Sequence, residues 1–404
     1  MPMPIDRRSL IQGLAALGPL TMAGRVWAAP QTDSRLLVVF LRGAYDAANV
    51  IVPIGSDFYY QARPKLAIAK PSTGSANAGL EAAALDSDWG LHPALRDALL
   101  PLWQKKEIAF IPFAGTDDLT RSHFETQDTI ELGQPIHATR NYQSGFMARL
   151  AAALTRTRPI SFTNQLPLIF HGEGAPIPNV ALNNVGKPAI DERMMGLIGE
   201  MYKDDALAAA VAEGFHARDD VYRSISKESD MANRGAVSPK GFELSGRRIA
   251  RVMKSGYNLG FVDVGGWDTH INQGAASGYL ANRLSELGRG LAAFADELGP
   301  AAWHDTVVVV ISEFGRTFRE NGDRGTDHGH GSTYWVLGGA VNGGRFLGEQ
   351  VKVDEAHLFQ NRDFPVLTDY RSLFGGLFKN IYGLNEAALA TIFPAVKPLD
   401  LSLV

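Results

Sequence analysis

Eight side chains able to hold a divalent cation crowd into five short stretches of this chain. They are Asp46 in RGAYD, His123 in TRSHFETQD, Asp268 and His270 in GGWDTH, Glu313 in SEFGR, and Asp327, His328 and His330 in GTDHGHG. Imidazole and carboxylate donors suit Zn, Mn, Ca or Fe, and each ion takes about four to six ligands. Eight groups therefore suffice for one or two ions, and a pair of ions would clamp the attacking and leaving oxygens of a displacement. The chain has no cysteine, which removes thiolate sites, iron–sulfur clusters, disulfides and a cysteine nucleophile.

Each candidate also has a plainer reading. A D-x-H triplet such as Asp268–His270 arises often by chance, Glu313 could be a solvated charge at a strand end, and Asp46 could bond its own turn. His328 and His330 stand between glycines, where little core is packed, so ligand duty is the stronger account there. Ser122-His123-Phe124-Glu125 matches the S-x-x-E capping box, with Ser122 as a helix N-cap. The competing account makes Ser122 a nucleophile at a helix N-terminus, with Thr120 or a water as alternatives. Arg42, Arg121, Arg316 and Arg319 offer guanidinium forks for phosphate or sulfate, or else structural bridges to Asp46, Glu125 or Glu313.

The elements that must carry these residues are legible as apolar runs. Residues 36–41 (LLVVFL) and 306–311 (TVVVVI) read as strands buried on both faces, joined by strands at 107–113, 259–264 and 333–337 and a short one at 167–171. Helices are expected over 93–105, 122–132, 143–154, 242–254, 279–298 and 371–378, with a helical region at 190–216. The clearest is 279–298, where Leu280, Leu284, Leu287, Leu291, Phe294 and Leu298 form one apolar stripe. Strands alternating with helices predict a mostly parallel sheet covered on both faces, with ligands beyond the carboxyl ends of its strands. Four of the five motif stretches follow such strands. Residues 29–404 read as one α/β domain, with excursions at 71–79 and 224–239. No G-x-G-x-x-G follows the first strand, which argues against a dinucleotide enzyme.

Residues 1–28 read as an export signal of the twin-arginine kind. Arg7-Arg8 precede an apolar stretch too short to span a bilayer, and Val26-Trp27-Ala28 offers a cleavage site. Cleavage there would leave 376 of the 404 residues and, by removing Arg7, Arg8 and Arg25 against Asp6, would take the net charge from −4 to −6. A mildly acidic chain without basic runs is a poor nucleic-acid binder, and no stretch of the mature chain is long and apolar enough to span a membrane. The expected location is the periplasm or another exported compartment.

FLRGAYDAANVIVP, TRSHFETQD, GGWDTH, SEFGRTFREN, GTDHGHGSTYWVLGGAVNGG and LTDYRSLF together resemble the bacterial exported family known as domain of unknown function 1501, from about Leu36 to about Phe378. That family is placed in the alkaline phosphatase-like superfamily, with sulfatases and phosphoglycerate mutases. The resemblance implies a three-layer α/β/α sandwich around a mixed, mostly parallel sheet. It also implies Asp46 as the carboxylate near the first strand, Ser122 or Thr120 as the nucleophile, and His328 or His330 as the late histidine. Asp268 and His270 resemble the D-x-x-x-H pair at closer spacing. SEFG resembles S-D-H-G with Glu313 for Asp and Phe314 for His, so a ligand would come from His123 or Asp327 instead. Family genes often neighbour those of another exported family, which implies an exported protein partner.

These readings lead to an exported metal-dependent hydrolase of a phosphate or sulfate ester, its substrate a small anionic ester or glycan. One or two divalent ions would serve it, with Ser122, Arg121, Arg42 and Arg316 in the reaction. The alternative is a non-catalytic periplasmic module that binds a metal or glycan and works with a protein partner.

Overall fold

A computed structural model describes residues 34–72, 79–174, 176–182, 200–202 and 241–404. The export segment, the excursion at 224–239, and most of the stretches at 71–79 and 190–216 lie outside the described residues.

Strand β1 (Arg35–Leu41) lies inside the main sheet and is buried from Leu36 onward. Its side chains alternate between two cores. Leu37, Val39 and Leu41 enter one, while Leu36, Val38 and Phe40 enter the other. A strand buried on both faces needs cover on both, and helices supply it. On the first face lie α3 (Arg96–Gln104), α6 (Phe242–Lys254) and α7 (Tyr279–His304). On the second lie α5 (Phe146–Ala153), α8 (Tyr370–Tyr382) and α9 (Glu386–Ile392). The result is the three-layer α/β/α arrangement expected. Two short helices, α1 (Ala47–Val50) and α2 (Asp57–Ala62), follow β1. Helix α4 (His123–Leu132) carries a candidate ligand at its first residue.

The main sheet runs in the order β10-β5-β9-β8-β1-β7-β6, with β11 (Thr368–Asp369) also on β5. These are β5 (Ile108–Gly115), β6 (Pro159–Ser161), β7 (Leu259–Val264), β8 (Thr306–Ser312), β9 (Ser332–Leu337) and β10 (Arg345–Phe346). β1 pairs parallel with both β7 and β8, whereas β9 runs antiparallel between β5 and β8. A separate small sheet orders β2 (Ile51–Val52), β4 (Gly90–Leu91) and β3 (Ala83–Ala84).

The stripe on α7 is buried throughout, and the helix leaves helical geometry at Gly299 beside Pro300, where the apolar spacing also stops. Segment 167–171 departs from expectation: Leu168–Phe170 is a single 3₁₀ turn. Its amides bond within the turn or to Glu131, Ile169 N donating to Glu131 Oε2 at 3.1 Å, and the edge position on β7 belongs to β6. No helix among the described residues is long and apolar enough to cross a membrane.

Candidate metal centre

The sheet order brings the motifs to one edge. β1, β7 and β8 are parallel neighbours, so RGAYD, GGWDTH and SEFGR leave the sheet side by side. β9 runs the other way, so the loop that leads into it, GTDHGHG, reaches the same edge. Two glycines let the loops touch. Gly43 has φ +117°, and a Cβ there would stand 2.7 Å from the Asp268 amide nitrogen. A Cβ on Gly315 would stand 1.8 Å from the Gly331 carbonyl oxygen. Gly315 N donates to His330 O at 2.8 Å and Gly329 N to Gly315 O at 2.9 Å, which pairs the SEFGR and GTDHGHG loops.

His123, Asp268 and His328 each place a donor atom within 4.8 Å of the other two. Asp268 Oδ2 lies 3.6 Å from His123 Nε2, and Oδ1 lies 3.4 Å from His328 Nε2. His270 adds its Nε2 from the side, 2.9 Å from Asp268 Oδ1 and 3.1 Å from His328 Nε2. The opposite nitrogen of each ring is engaged. His123 Nδ1 meets Glu313 Oε1 at 2.8 Å, His328 Nδ1 meets the Arg121 carbonyl at 2.9 Å, and His270 Nδ1 meets Asp327 Oδ1 at 3.2 Å. Arg121 adopts φ 52°, a left-handed conformation that costs a non-glycine residue energy and is commoner at functional sites.

This donor set fits a divalent cation. Ligands about 2.0–2.2 Å from a four-coordinate ion stand roughly 3.3–3.6 Å apart; His123 approaches Asp268 Oδ2 and His328 approaches Oδ1 at such distances, and one donor atom from each of the three lies within 4.8 Å of the others. His123 Nε2 is buried and makes no hydrogen bond, a costly state for a polar atom with nothing to coordinate. The bond from each Nδ1 to a neighbouring oxygen is the outer-shell arrangement that fixes the tautomer of a ligating histidine.

Electrostatics favour ligation at Asp268 and His328, whereas at His123 burial opposes the charge but Glu313 and Asp268 raise the imidazole, so an ion there would displace its proton. Burial works against the charge on Asp268, but the Arg316 guanidinium, with His270 and His123, holds its carboxyl below the usual range. Burial likewise opposes ionisation of Glu313, yet bonds from His123, Gln127 and the Gly43 amide keep it an anion. His328 is pushed down by burial and by His123, so its ring stays neutral and free to donate a lone pair.

Other expected residues are placed elsewhere. Asp46 faces Arg63, a fully buried guanidinium, through Oδ2 at 2.5 Å and Oδ1 at 2.9 Å, and it accepts from Gln273 Nε2 at 2.7 Å. Both its oxygens are thus spent in a buried ion pair, and it makes no cap bond in its own turn. His330 is not among the converging donors; it is buried, packs on Phe359 and is pushed down to about 4 by burial and Arg121. Glu313 and Asp327 stand behind the histidines as orienting groups. Phe314 stacks on the His123 ring at 5.0 Å between centroids.

The arginines are committed to carboxylates. Arg42 bridges Glu131 at 2.9 Å and Asp263 at 2.8 Å, Arg121 binds Asp363 at 2.8 Å, and Arg319 binds Glu355 at 2.7 Å. Arg316 is buried and meets Asp268 Oδ1 at 2.6 Å. Ser122 caps α4, accepting from Glu125 N at 3.5 Å, but the reciprocal half of the capping box is absent because Ser122 N donates to Thr120 Oγ1 instead. Sequence reasoning missed Arg63, Gln273, Gln127 and Asp363. None lies in a motif stretch after a strand except Gln127, which sits one helical turn beyond His123.

Fold and site together define an α/β protein whose sheet edge gathers histidines around one carboxylate. Over residues 33–393 the sequence matches the family described as "Protein of unknown function (DUF1501)", and the chain belongs to that family. Among curated proteins, none matches the sequence. Solved structures similar to it include a protein in the alkaline phosphatase superfamily from Vibrio parahaemolyticus, at 12% identity and a TM-score of 0.39, covering 88% of this chain and 68% of that one. The lipoteichoic acid synthase LtaP from Listeria monocytogenes is similar at 10% identity and a TM-score of 0.37, covering 92% and 76%. Ps i-CgsB in complex with k-i-k-neocarrahexaose is similar at 8% identity and a TM-score of 0.36, covering 89% and 74%.

Proposed function

We propose that this chain is an exported metal-dependent hydrolase of a phosphate or sulfate ester, its ion held by His123, Asp268 and His328 with His270 beside them. The observation that carries the reading is the convergence of these donors, each imidazole fixed from behind at Nδ1. A divalent ion there would supply Lewis-acid stabilisation of the anionic ester oxygens. The protein's own part is to aim the donors. Glu313 orients His123, the Arg121 carbonyl orients His328, Asp327 orients His270, and Arg316 anchors Asp268. Ser122 or a solvent water supplies the attacking oxygen, and Ser122 sits at the N-terminus of α4, where the helix dipole favours an anion. Because Asp46 is occupied by Arg63, we read the centre as holding one ion.

Metal analysis of purified protein, with 4-nitrophenyl phosphate and 4-nitrophenyl sulfate as substrates, tests the reading. About one ion per chain is expected, with both ion and turnover lost in Asp268→Ala and His328→Ala. Turnover unchanged in those variants would overturn it. Export is tested by fractionation: Arg7→Lys with Arg8→Lys should hold the chain in the cytoplasm.

One observation favours the second reading, a metal-holding module without turnover. The arginines expected to grip ester oxygens are all paired with carboxylates. Metal-loaded protein inert on both esters would support it.

A further inference from the structure

We infer that the hollow beside the carboxyl end of β7 binds a neutral, hydroxyl-rich ligand, a saccharide, and that under the hydrolase reading this is the body of the substrate. The hollow has a volume of about 470 Å³, within the roughly 300–1,000 Å³ of small-molecule sites. Arg42, Asn164, Asp263, Arg283 and Glu286 line it.

The charges in this lining come as pairs. Arg42 Nε lies 2.8 Å from Asp263 Oδ2, and Arg283 Nη1 lies 3.4 Å from Glu286 Oε2. Each guanidinium therefore has a carboxylate at its side. An anion entering the hollow meets a carboxylate next to every arginine, and a cation meets an arginine next to every carboxylate. An apolar ligand would cut these groups off from water without replacing its hydrogen bonds. A sugar hydroxyl both donates and accepts, so it can bond a carboxylate and a guanidinium at once, and the Asn164 amide offers both roles again.

The hollow adjoins the metal centre. Gly265 and Trp267 line it, and Asp268 is the next residue. A Cβ built on Gly266 would stand 2.8 Å from Arg283 Nη2, so this arginine rests on the loop that presents Asp268. Two residues of chain reach about 7 Å at most, so a ring held against Arg283 has the donor cluster within a short span. The substrate class that follows is a sugar carrying an anionic ester.

Saccharide binding stands apart from hydrolysis and can be tested apart from it. The full chain is applied to a printed array of neutral and acidic oligosaccharides, and the strongest hit is titrated calorimetrically. A neutral oligosaccharide is expected to bind. Its Kd should rise tenfold or more in Glu286→Leu and in Asn164→Leu, each checked for an unchanged Tm. No retained oligosaccharide, or binding indifferent to both lining variants, would overturn the inference. Binding that persists in a chain inert on every ester upholds the saccharide site while removing the hydrolase reading.

Discussion

Glu313 holds the imidazole of His123 by its Nδ1, 2.8 Å from Oε1, across 190 positions of sequence. The same oxygen accepts from the Gly43 amide at 2.8 Å and from Gln127 Nε2 at 2.9 Å, while Oε2 accepts from Ser312 Oγ at 2.9 Å. This buried carboxylate therefore ties the ends of β1 and β8 to the start of α4 and turns His123 Nε2 toward Asp268.

Weakening that tie should loosen the metal centre without touching a ligand. Glu313→Gln keeps the volume and removes the charge. Metal affinity, measured by competition with a chelator, is expected to fall about 10–100-fold, the usual cost of losing an outer-shell partner. Affinity equal to wild type would mean that His123 is not a ligand.

The Asp46–Arg63 pair should behave as architecture. Arg63→Met leaves a buried carboxylate unpaired, which costs about 3–5 kcal/mol and should show as a large drop in Tm. The metal content of the folded fraction should be unchanged. Altered metal content would restore Asp46 to the centre.

Ser122→Ala separates cap from nucleophile. Loss of the cap bond to Glu125 N should cost about 1 kcal/mol. Turnover within a few-fold of wild type would assign the attacking oxygen to water, whereas loss of several orders of magnitude would assign it to Ser122. Ser122→Asn keeps a capping oxygen and serves as the control for fold.

Acid should unfold the protein through histidines buried neutral. His92 is wholly buried, accepts from Ala94 N at Nδ1 and bonds the Ala275 carbonyl through Nε2. Burial pushes both His92 and His330 down to about 4. A histidine depressed in the folded state binds protons preferentially in the unfolded state, so its contribution is whole above pH ~6.5 and is lost as pH falls toward 4. Each site accounts for up to about 3 kcal/mol over that window. Urea titrations at pH 7 and pH 4.5 should show the loss, reduced in His92→Gln.

Much of this molecule was legible in its residues. The runs at 36–41 and 306–311 are so uniformly apolar that only a strand covered on both faces accommodates them, and the stripe from Leu280 to Leu298 admits only a helix against a core. Strand-end placement of RGAYD, GGWDTH and SEFGR likewise followed from chain order alone. The short strands β6, β10 and β11 were not legible, because two or three residues carry no periodicity to read.

The sequence alone determined the layers, the loops and the list of eight candidate donors. Only the tertiary structure decided which donors meet. His123, Asp268, His270 and His328 converge because β9 runs antiparallel to β8 and brings its leading loop back to the edge where β7 ends. Asp46 and Asp268 are both ligand candidates in sequence, yet Asp46 is claimed by Arg63 while Asp268, anchored by Arg316, faces the histidines. The physical reason is that a buried charge must find a partner, and that partner is set by how the elements pack, not by neighbours in the chain.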